Sequence, residues 1–188
     1  MELLLNDEQT MLRDSAATFT ERRGGADRLR RQRATDAKID REIWAQAAEA
    51  GWLAILAPES AGGLGLGMTE LCLVSEELGK GLVPEPVAAV AAVARALGAS
   101  HTMEVLVSGD RIILPALMEG TRSIGDEAPA VTGSANGDAV SLDGVKTGIA
   151  CPADADGFLV SASGPDGPVL VIVDRDATEI QAEPTLDG

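Results

Sequence analysis

The sequence is poor in aromatic residues, cysteine and histidine. Its 188 residues include no tyrosine, two phenylalanines, two tryptophans, two cysteines and one histidine. Cys72 and Cys151 have no second Cys or His at metal-ligand spacing, so neither a disulfide framework nor a Cys/His metal site is indicated, and we expect no bound metal. A chain of this length with 45% hydrophobic residues can fold without such cross-links, because it can bury about 70% of its unfolded surface.

Basic residues are also scarce. The chain has 15 Lys and Arg against 30 Asp and Glu, which gives a formal net charge of -15. So acidic a protein repels polyphosphates, and we expect no nucleic-acid partner. The one basic cluster, Arg28 to Arg33, has no interleaved aromatic residues and is diluted by Asp27 and Asp36. We interpret this cluster as a solvent-exposed connection between two helices.

Long apolar runs are missing. The run Leu3 to Leu5 is short, and Val87 to Leu97 is interrupted by Arg95, so no stretch approaches the roughly 20 residues that cross a bilayer. The N-terminal residues are polar and acidic, in the wrong order for a signal peptide. These absences predict a cytoplasmic protein without a membrane span.

Residues 1–109 are predicted to form an all-α domain. Asn6 is a candidate N-cap with Gln9 as its reciprocal partner, and a second helix is expected from about Asp40 to Gly51. Three more helices are expected after the glycine-rich loop Pro58 to Gly67, at residues 69–79, 86–97 and 101–107. Each has an apolar stripe and ends near a glycine or a turn.

Residues 110–188 are predicted to form a β-domain. Short β-branched runs indicate strands at residues 112–117, 139–142, 158–161, 169–173 and about 178–182. Turns are expected at Asn136-Gly137-Asp138 and Pro165-Asp166-Gly167. Helices followed by strands predict an α+β fold, in which an antiparallel β-barrel or sandwich domain follows the helical domain. Because the strands are few, we expect that domain to be incomplete at its C-terminus and the chain to be truncated.

Simple local motifs do not indicate a catalytic centre. The glycines from Gly62 to Gly67 lack both the spacing of a dinucleotide-binding loop and the lysine of a phosphate-binding loop, so we interpret them as turn-forming. The lone His101 follows Ser100 at a helix start, which favours a capped helix over chemistry. Asp154 and Asp156 lack the glycine and terminal glutamate of a calcium loop.

Several segments together resemble the acyl-CoA dehydrogenase family. Pro58-Glu59 and the following Gly62 to Gly67, with a helix ending Glu76-Glu77-Leu78-Gly79, are similar to the family's PE-x-x-GGLG loop and EEL helix. In the second half, Leu142 to Thr147 is similar to the L-x-G-x-K segment, and Ala155 to Val160 to the A-D-x-x-L-V strand. The resemblance covers essentially the whole chain.

The resemblance implies α,β-dehydrogenation of an acyl-CoA thioester. In that reaction a carboxylate takes the Cα proton and the flavin N5 of FAD accepts a hydride from Cβ. The implied partners are the acyl-CoA substrate, an electron acceptor such as a flavoprotein, and further subunits in a homo- or hetero-oligomer. In family members the base is a glutamate that lies beyond the last residue of this sequence, so no catalytic residue is assigned.

The resemblance also implies a set of cofactor-binding residues, with three departures from the family. Met118 stands where the family has a hydroxyl residue, Gly148 where it has an aromatic residue beside the isoalloxazine, and Ala150 where it has Thr or Ser. The implied contacts are Met118, Glu119, Gly120, Thr147, Gly148, Ile149 and Ala150. Each lost hydrogen bond is worth about 0.5–1.5 kcal/mol and an aromatic contact brings a similar amount, so two or three losses cost about tenfold to a thousandfold in affinity.

Two hypotheses are consistent with these departures. The first is an FAD-dependent acyl-CoA dehydrogenase that tolerates all of them. The second is a non-catalytic partner subunit with a degenerate flavin site, in which FAD is weakly bound or absent, within a heteromeric dehydrogenase complex.

Overall fold

The computed structural model of the protein describes residues 4–35, 38–120, 128–136 and 139–181. The chain divides into two compact units, Met1–Ile112 and Ile113–Gly188. The first unit is helical and the second contains a β-sheet. No helix among the described residues is long and apolar enough to cross a membrane.

The helical unit contains six described α-helices. They are α1 (Asp7–Arg23), α2 (Ala26–Arg33), α3 (Arg41–Glu49), α4 (Met68–Lys80), α5 (Val87–Leu97) and α6 (His101–Val107). The five predicted helices are confirmed. So is the first cap: the Asn6 side chain accepts from the Gln9 amide at 2.8 Å, and the Gln9 side chain accepts from the Asn6 amide at 3.2 Å. The Asp40 side chain caps α3 in the same way, by accepting from the Glu42 and Ile43 amides.

The core of the helical unit is built around two tryptophans. Trp44 on α3 and Trp52 in the short 3-10 turn Trp52–Ala54 are each 1% exposed. Phe19 of α1 meets Trp52 edge to face, with ring centroids 5.0 Å apart. Fully burying one large apolar side chain contributes about 1.5–3 kcal/mol, so each tryptophan adds to a core that also contains many buried aliphatic side chains.

The structure corrects the interpretation of the basic cluster as a connection, because residues 26–33 form the helix α2. The expected solvent exposure is confirmed for Arg30, Arg31 and Arg33. It is wrong for Arg28, whose side chain is only 12% exposed and makes an ion pair with the fully buried side chain of Glu85, 57 positions away in sequence. Arg30 does face solvent, where it pairs with Asp27.

The β-unit contains one mixed, open sheet. Its strands are β1 (Ile113–Ala116), β2 (Thr132–Asn136), β3 (Ala139–Asp143), β4 (Gly157–Gly164) and β5 (Gly167–Asp174). β4 is the central strand. It forms a parallel pair with β1, beginning at Ile113↔Gly157, and an antiparallel pair with β5 along its whole length. At its C-terminal end β4 meets β2 at Thr132↔Ser163, and β2 forms an antiparallel hairpin with β3.

The predicted order of a helical domain followed by a β-domain is confirmed. The sheet is mixed and not wholly antiparallel, because the chain between β1 and β4 makes the β2–β3 hairpin before it returns. The predicted hairpin turn at Pro165-Asp166-Gly167 is confirmed by the Gly164↔Gly167 pair. In the other predicted turn, Gly137 and Asp138 lie outside the described residues.

Two strand predictions differ from the structure. β2 was missed, because its sequence Thr-Gly-Ser-Ala-Asn has no large β-branched or aromatic residue and forms a strand through its pairing with β3 and β4. The strand expected at about 178–182 is wrong for residues 178–181, which follow the 3-10 turn Arg175–Ala177 without forming a strand. Ala182 lies outside the described residues.

Candidate functional site

Two segments of the β-unit lie side by side just after β1 and just before the turn that leads to β4. The amide of Thr147 donates to the carbonyl oxygen of Met118 at 2.9 Å, and the amide of Gly120 donates to the Thr147 Oγ1 at 2.8 Å. Met118 and Thr147 therefore form an isolated antiparallel bridge. These two stretches, residues 118–120 and 147–150, are called the paired segments below, and they contain all seven residues predicted as cofactor contacts.

A charged pair lies directly behind the bridge. The Lys146 Nζ is 2.6 Å from the Glu119 Oε1 and also donates to the Ser161 Oγ of β4 at 2.8 Å. The Glu119 carboxylate accepts two more hydrogen bonds, from the amide of Ala130 at 2.7 Å and from the amide of Val131 at 3.0 Å. The side chains of Glu119 and Lys146 are 10% and 7% exposed. One carboxylate thus joins three separate stretches of chain.

This environment lowers the pKa of Glu119 to about 2. The largest cause is the hydrogen bond from the Lys146 ammonium, followed by the amide hydrogen bonds of Val131 and Ala130. A carboxylate that loses its proton so readily is a poor general base, since efficient bases have a pKa near the working pH. Glu119 is therefore suited to holding structure together and not to accepting a substrate proton.

The opposite face of the paired segments is open. Met118 is 42% exposed, and a Cβ placed on Gly148 would meet the Met118 Sδ at 3.4 Å, an ordinary contact distance. Gly120 and Gly148 have φ values of +61° and +69°, which glycine adopts without strain. Ile149 is half-buried and Ala150 is exposed. The surface offered to a ligand is thus mainly backbone, a thioether and the Thr147 hydroxyl.

His101 is the first residue of α6 and does not belong to the paired segments. Its side chain is 87% exposed and lies 3.2 Å from the Glu104 carboxylate, and the Ser100 hydroxyl caps the helix by accepting from the Met103 amide. This confirms the capped-helix interpretation. Nowhere in the described part of the chain do three or more His, Cys, Asp or Glu side chains gather as a metal site would require.

The glycine-rich loop is explained by close packing. A Cβ on Gly63 would lie 2.2 Å from the Ala57 carbonyl oxygen, so only glycine fits there. The amide of Gly67 donates to the Glu70 carboxylate at 2.9 Å, which also caps the start of α4. The Gly63 contact supports the prediction that the loop needs glycine for its conformation.

Sequence reasoning missed the partners of Glu119. The carboxylate accepts from Lys146 and from the amides of Ala130 and Val131, and Ser161 in turn accepts from Lys146, but none of these four was predicted as part of the site. The one available signal was Lys146, which directly precedes Thr147 in the segment similar to L-x-G-x-K. Its pairing with Glu119, 27 positions away, needs the fold to be known.

Comparison with known proteins identifies the class. Residues 6–105 match the model of the acyl-CoA dehydrogenase N-terminal domain. Acyl-CoA dehydrogenase FadE27 of Mycobacterium tuberculosis is 35% identical over 144 residues, which are 72% of this chain and 37% of that protein. Benzylmalonyl-CoA dehydrogenase of Aromatoleum aromaticum is 31% identical over 195 aligned residues, covering 96% of this chain and 50% of that protein. The chain belongs to the acyl-CoA dehydrogenase family.

Solved structures agree with this assignment. A variant of the Tcur3481-Tcur3483 steroid ACAD superposes with a TM-score of 0.76 at 37% identity, over 90% of this chain and 48% of that chain. The ChsE4-ChsE5 complex of Mycobacterium tuberculosis gives a TM-score of 0.79 at 28% identity, over 93% of this chain and 49% of that chain. The chain spans about half the length, or less, of these relatives.

Proposed function

We propose that this chain belongs to an FAD-linked enzyme that removes two hydrogens from the α and β carbons of an acyl-CoA thioester. The observation that carries the proposal is the pairing of Met118 with Thr147 in a chain of the acyl-CoA dehydrogenase family. That pairing brings together the residues whose counterparts the family resemblance implies at the flavin. The identity, substrate and partners of the whole enzyme are part of this proposal.

The backbone of the paired segments leaves room for a flavin, and some of their side chains could contact it. Met118, Gly120 and Gly148 are exposed, and a Cβ built on Gly120 would meet no atom of the described residues within 4 Å. The Thr147 hydroxyl accepts from the Gly120 amide and keeps its own proton to donate. Met118 adds a polarizable sulfur, which makes favourable contacts with aromatic rings. A flat ring system can therefore lie against this face with fewer hydrogen bonds than the family pattern implies.

The roles of the chain's own residues follow from this geometry. A flavin held by the paired segments would supply the acceptor for the hydride that leaves the substrate Cβ. Thr147 would donate a hydrogen bond to an acceptor on the ring, while the Met118–Thr147 bridge would fix the surface on which the ring lies. Glu119 stays ionised behind that surface, because the Lys146 ammonium lowers its pKa. We assign no substrate base among the paired segments.

Flavin content tests the proposal. The full-length protein is expressed alone and its visible absorbance spectrum is used to count FAD per subunit. The proposal expects close to one flavin per subunit, bleached when an acyl-CoA substrate is added without an electron acceptor. Steroid CoA thioesters are the first compounds to assay, since a solved structure 37% identical to this chain is named as a steroid ACAD. A flavin-bound protein that no acyl-CoA reduces would contradict the dehydrogenase activity.

A second candidate function is favoured by Met118 and Gly148. Both replace residues that the family resemblance implies as flavin contacts, and two of the similar solved structures are named for two components, Tcur3481-Tcur3483 and ChsE4-ChsE5. In this alternative the chain belongs to the subunit that does not itself bind FAD in a complex of unlike subunits.

Co-expression with an adjacent homologue separates the two candidates. If the protein alone lacks flavin, and flavin appears only in a complex at one per pair of unlike chains, the partner-subunit role is supported. A homo-oligomer with one flavin per subunit would exclude it.

A further inference from the structure

We infer that Glu119 and Lys146 are positioning residues, which fix the backbone of the two paired segments against each other without contacting the flavin themselves. The inference rests on the proposed flavin role of those segments. It changes the expectation for Glu119, which the family resemblance placed among the cofactor contacts, and it adds Lys146 to the residues on which the site depends.

The hydrogen bonds of Glu119 all point into the protein. Oε1 accepts from the Lys146 ammonium and the Val131 amide, and Oε2 accepts from the Ala130 amide. Three hydrogen bonds use most of the roughly four acceptor positions of a carboxylate. With the side chain only 10% exposed, little of it is left to meet a ligand on the open face.

The Lys146 ammonium also makes its described hydrogen bonds within the protein. It donates to Glu119 at 2.6 Å and to the Ser161 hydroxyl at 2.8 Å, and the Lys146 side chain is 7% exposed. A cation already paired with a carboxylate and shielded from solvent does not serve as the counter-charge for a cofactor diphosphate. The pair therefore acts behind the site and not within it.

The positions of the two residues in the chain explain what they fix. Glu119 lies between Met118 and Gly120, and Lys146 directly precedes Thr147, so their ion pair holds together the two backbone stretches that share the Met118–Thr147 bridge. Ser161 connects the same ammonium to the central strand β4. Residues that hold site segments in this way keep ligand-binding atoms within a few tenths of an ångström of their working geometry.

The test compares four variants of the full-length protein with the wild type. Lys146→Met removes the charge at similar length, Lys146→Arg keeps it, and Glu119→Gln removes the other charge. Lys80→Met removes an exposed lysine that pairs with Glu76 and Glu77 on α4 and serves as the matched control. FAD affinity is measured by flavin fluorescence, and amide hydrogen exchange is followed by NMR.

Lys146→Met and Glu119→Gln are each expected to weaken FAD binding about tenfold or more, the loss that corresponds to one charge-assisted hydrogen bond. Lys146→Arg should recover most of the affinity, and Lys80→Met should leave it unchanged. In Lys146→Met and Glu119→Gln, amide exchange should accelerate at Gly120, Ala130 and Val131. It should not accelerate at Val160 of β4 or Ile172 of β5, which lie in the β4–β5 pairing. A residue that merely stabilises the unit would accelerate all five amides together.

The outcomes separate this inference from the proposed function. If the wild type binds FAD and Lys146→Met binds it within twofold, the positioning role is overturned while the flavin proposal stands. If the wild type binds no FAD, the flavin proposal fails, and amide exchange alone decides whether the pair fixes the paired segments. Uniform acceleration of all five amides, or none, would overturn the inference in either case.

Discussion

The guanidinium of Arg28 donates two hydrogen bonds to the Glu85 carboxylate, at 3.1 and 2.5 Å, and the Asp40 amide donates a third at 3.2 Å. The Glu85 side chain is completely buried, whereas α2, which supplies Arg28, buries none of its eight residues fully. The ion pair thus attaches α2 to the helical unit in place of an apolar face. It also supplies the cation that compensates the charge of a buried carboxylate.

Arg28→Met should strongly destabilise the helical unit. Removing one partner of a buried ion pair leaves an uncompensated charge and costs about 3–5 kcal/mol. Urea unfolding followed by tryptophan fluorescence measures the loss, since Trp44 and Trp52 both lie in this unit. The matched control is Arg30→Met, which removes an exposed arginine of the same helix and should change stability by less than about 0.5 kcal/mol. Equal losses in the two variants would contradict the role of the pair.

The ion pair between Glu119 and Lys146 should break only at low pH. The pKa of Glu119 falls from an ordinary value of 4.5 to about 2 in the folded state, first because of Lys146. Because its pKa is lower in the folded than in the unfolded state, ionised Glu119 stabilises the fold. This contribution is fully present above about pH 4.5 and is lost as the pH falls from about 4.5 to about 2. Carbon-13 NMR of the Glu119 carboxyl group should show titration near 2, and Lys146→Met should move the pKa upward. Titration near 4.5 in the wild type would refute the pair.

Two glycine substitutions should change stability in opposite directions. Gly63→Ala places a Cβ 2.2 Å from the Ala57 carbonyl oxygen, where the backbone must shift, and should cost about 1–3 kcal/mol. Gly79→Ala lies within α4, where the new Cβ would meet no atom of the described residues within 4 Å outside the helix's own backbone, and should stabilise by about 0.4–1 kcal/mol. Thermal unfolding of both variants beside the wild type measures the difference. A neutral Gly63→Ala would show that the loop can move aside.

Restoring a hydroxyl at Met118 should strengthen flavin binding. Met118 is 42% exposed beside Thr147, so Met118→Thr introduces a second hydroxyl on the open face without filling a buried space. One added hydrogen bond of about 0.5–1.5 kcal/mol corresponds to an affinity gain of about two- to tenfold. Met68→Thr, at an exposed methionine of α4, is the control and should leave affinity unchanged. FAD titration followed by fluorescence measures the affinity of each variant. Weaker binding by Met118→Thr than by the wild type would show that the thioether is itself the better contact.

The local signals in the sequence were sufficient for most helices and for the strongest strands. Asn6 with Gln9, and Asp40, mark helix starts through side chains that bond to nearby amides, so their consequences are confined to one helical turn. β4 and β5 are rich in Val, Ile and Leu on either side of Pro165-Asp166, which indicates a hairpin without reference to the rest of the chain. β2 lacks such residues and could not be found in this way.

The sequence by itself determined the order of a helical and a β-rich half, the caps and turns, and the motifs that resemble the acyl-CoA dehydrogenase family, because each depends on residues close together in the chain. Only the tertiary structure decided the partners of the buried charges. Arg28 meets Glu85 across 57 positions and Lys146 meets Glu119 across 27. A buried charge must be compensated, but the many acidic residues of this chain offer many candidate partners, and only folding selects one.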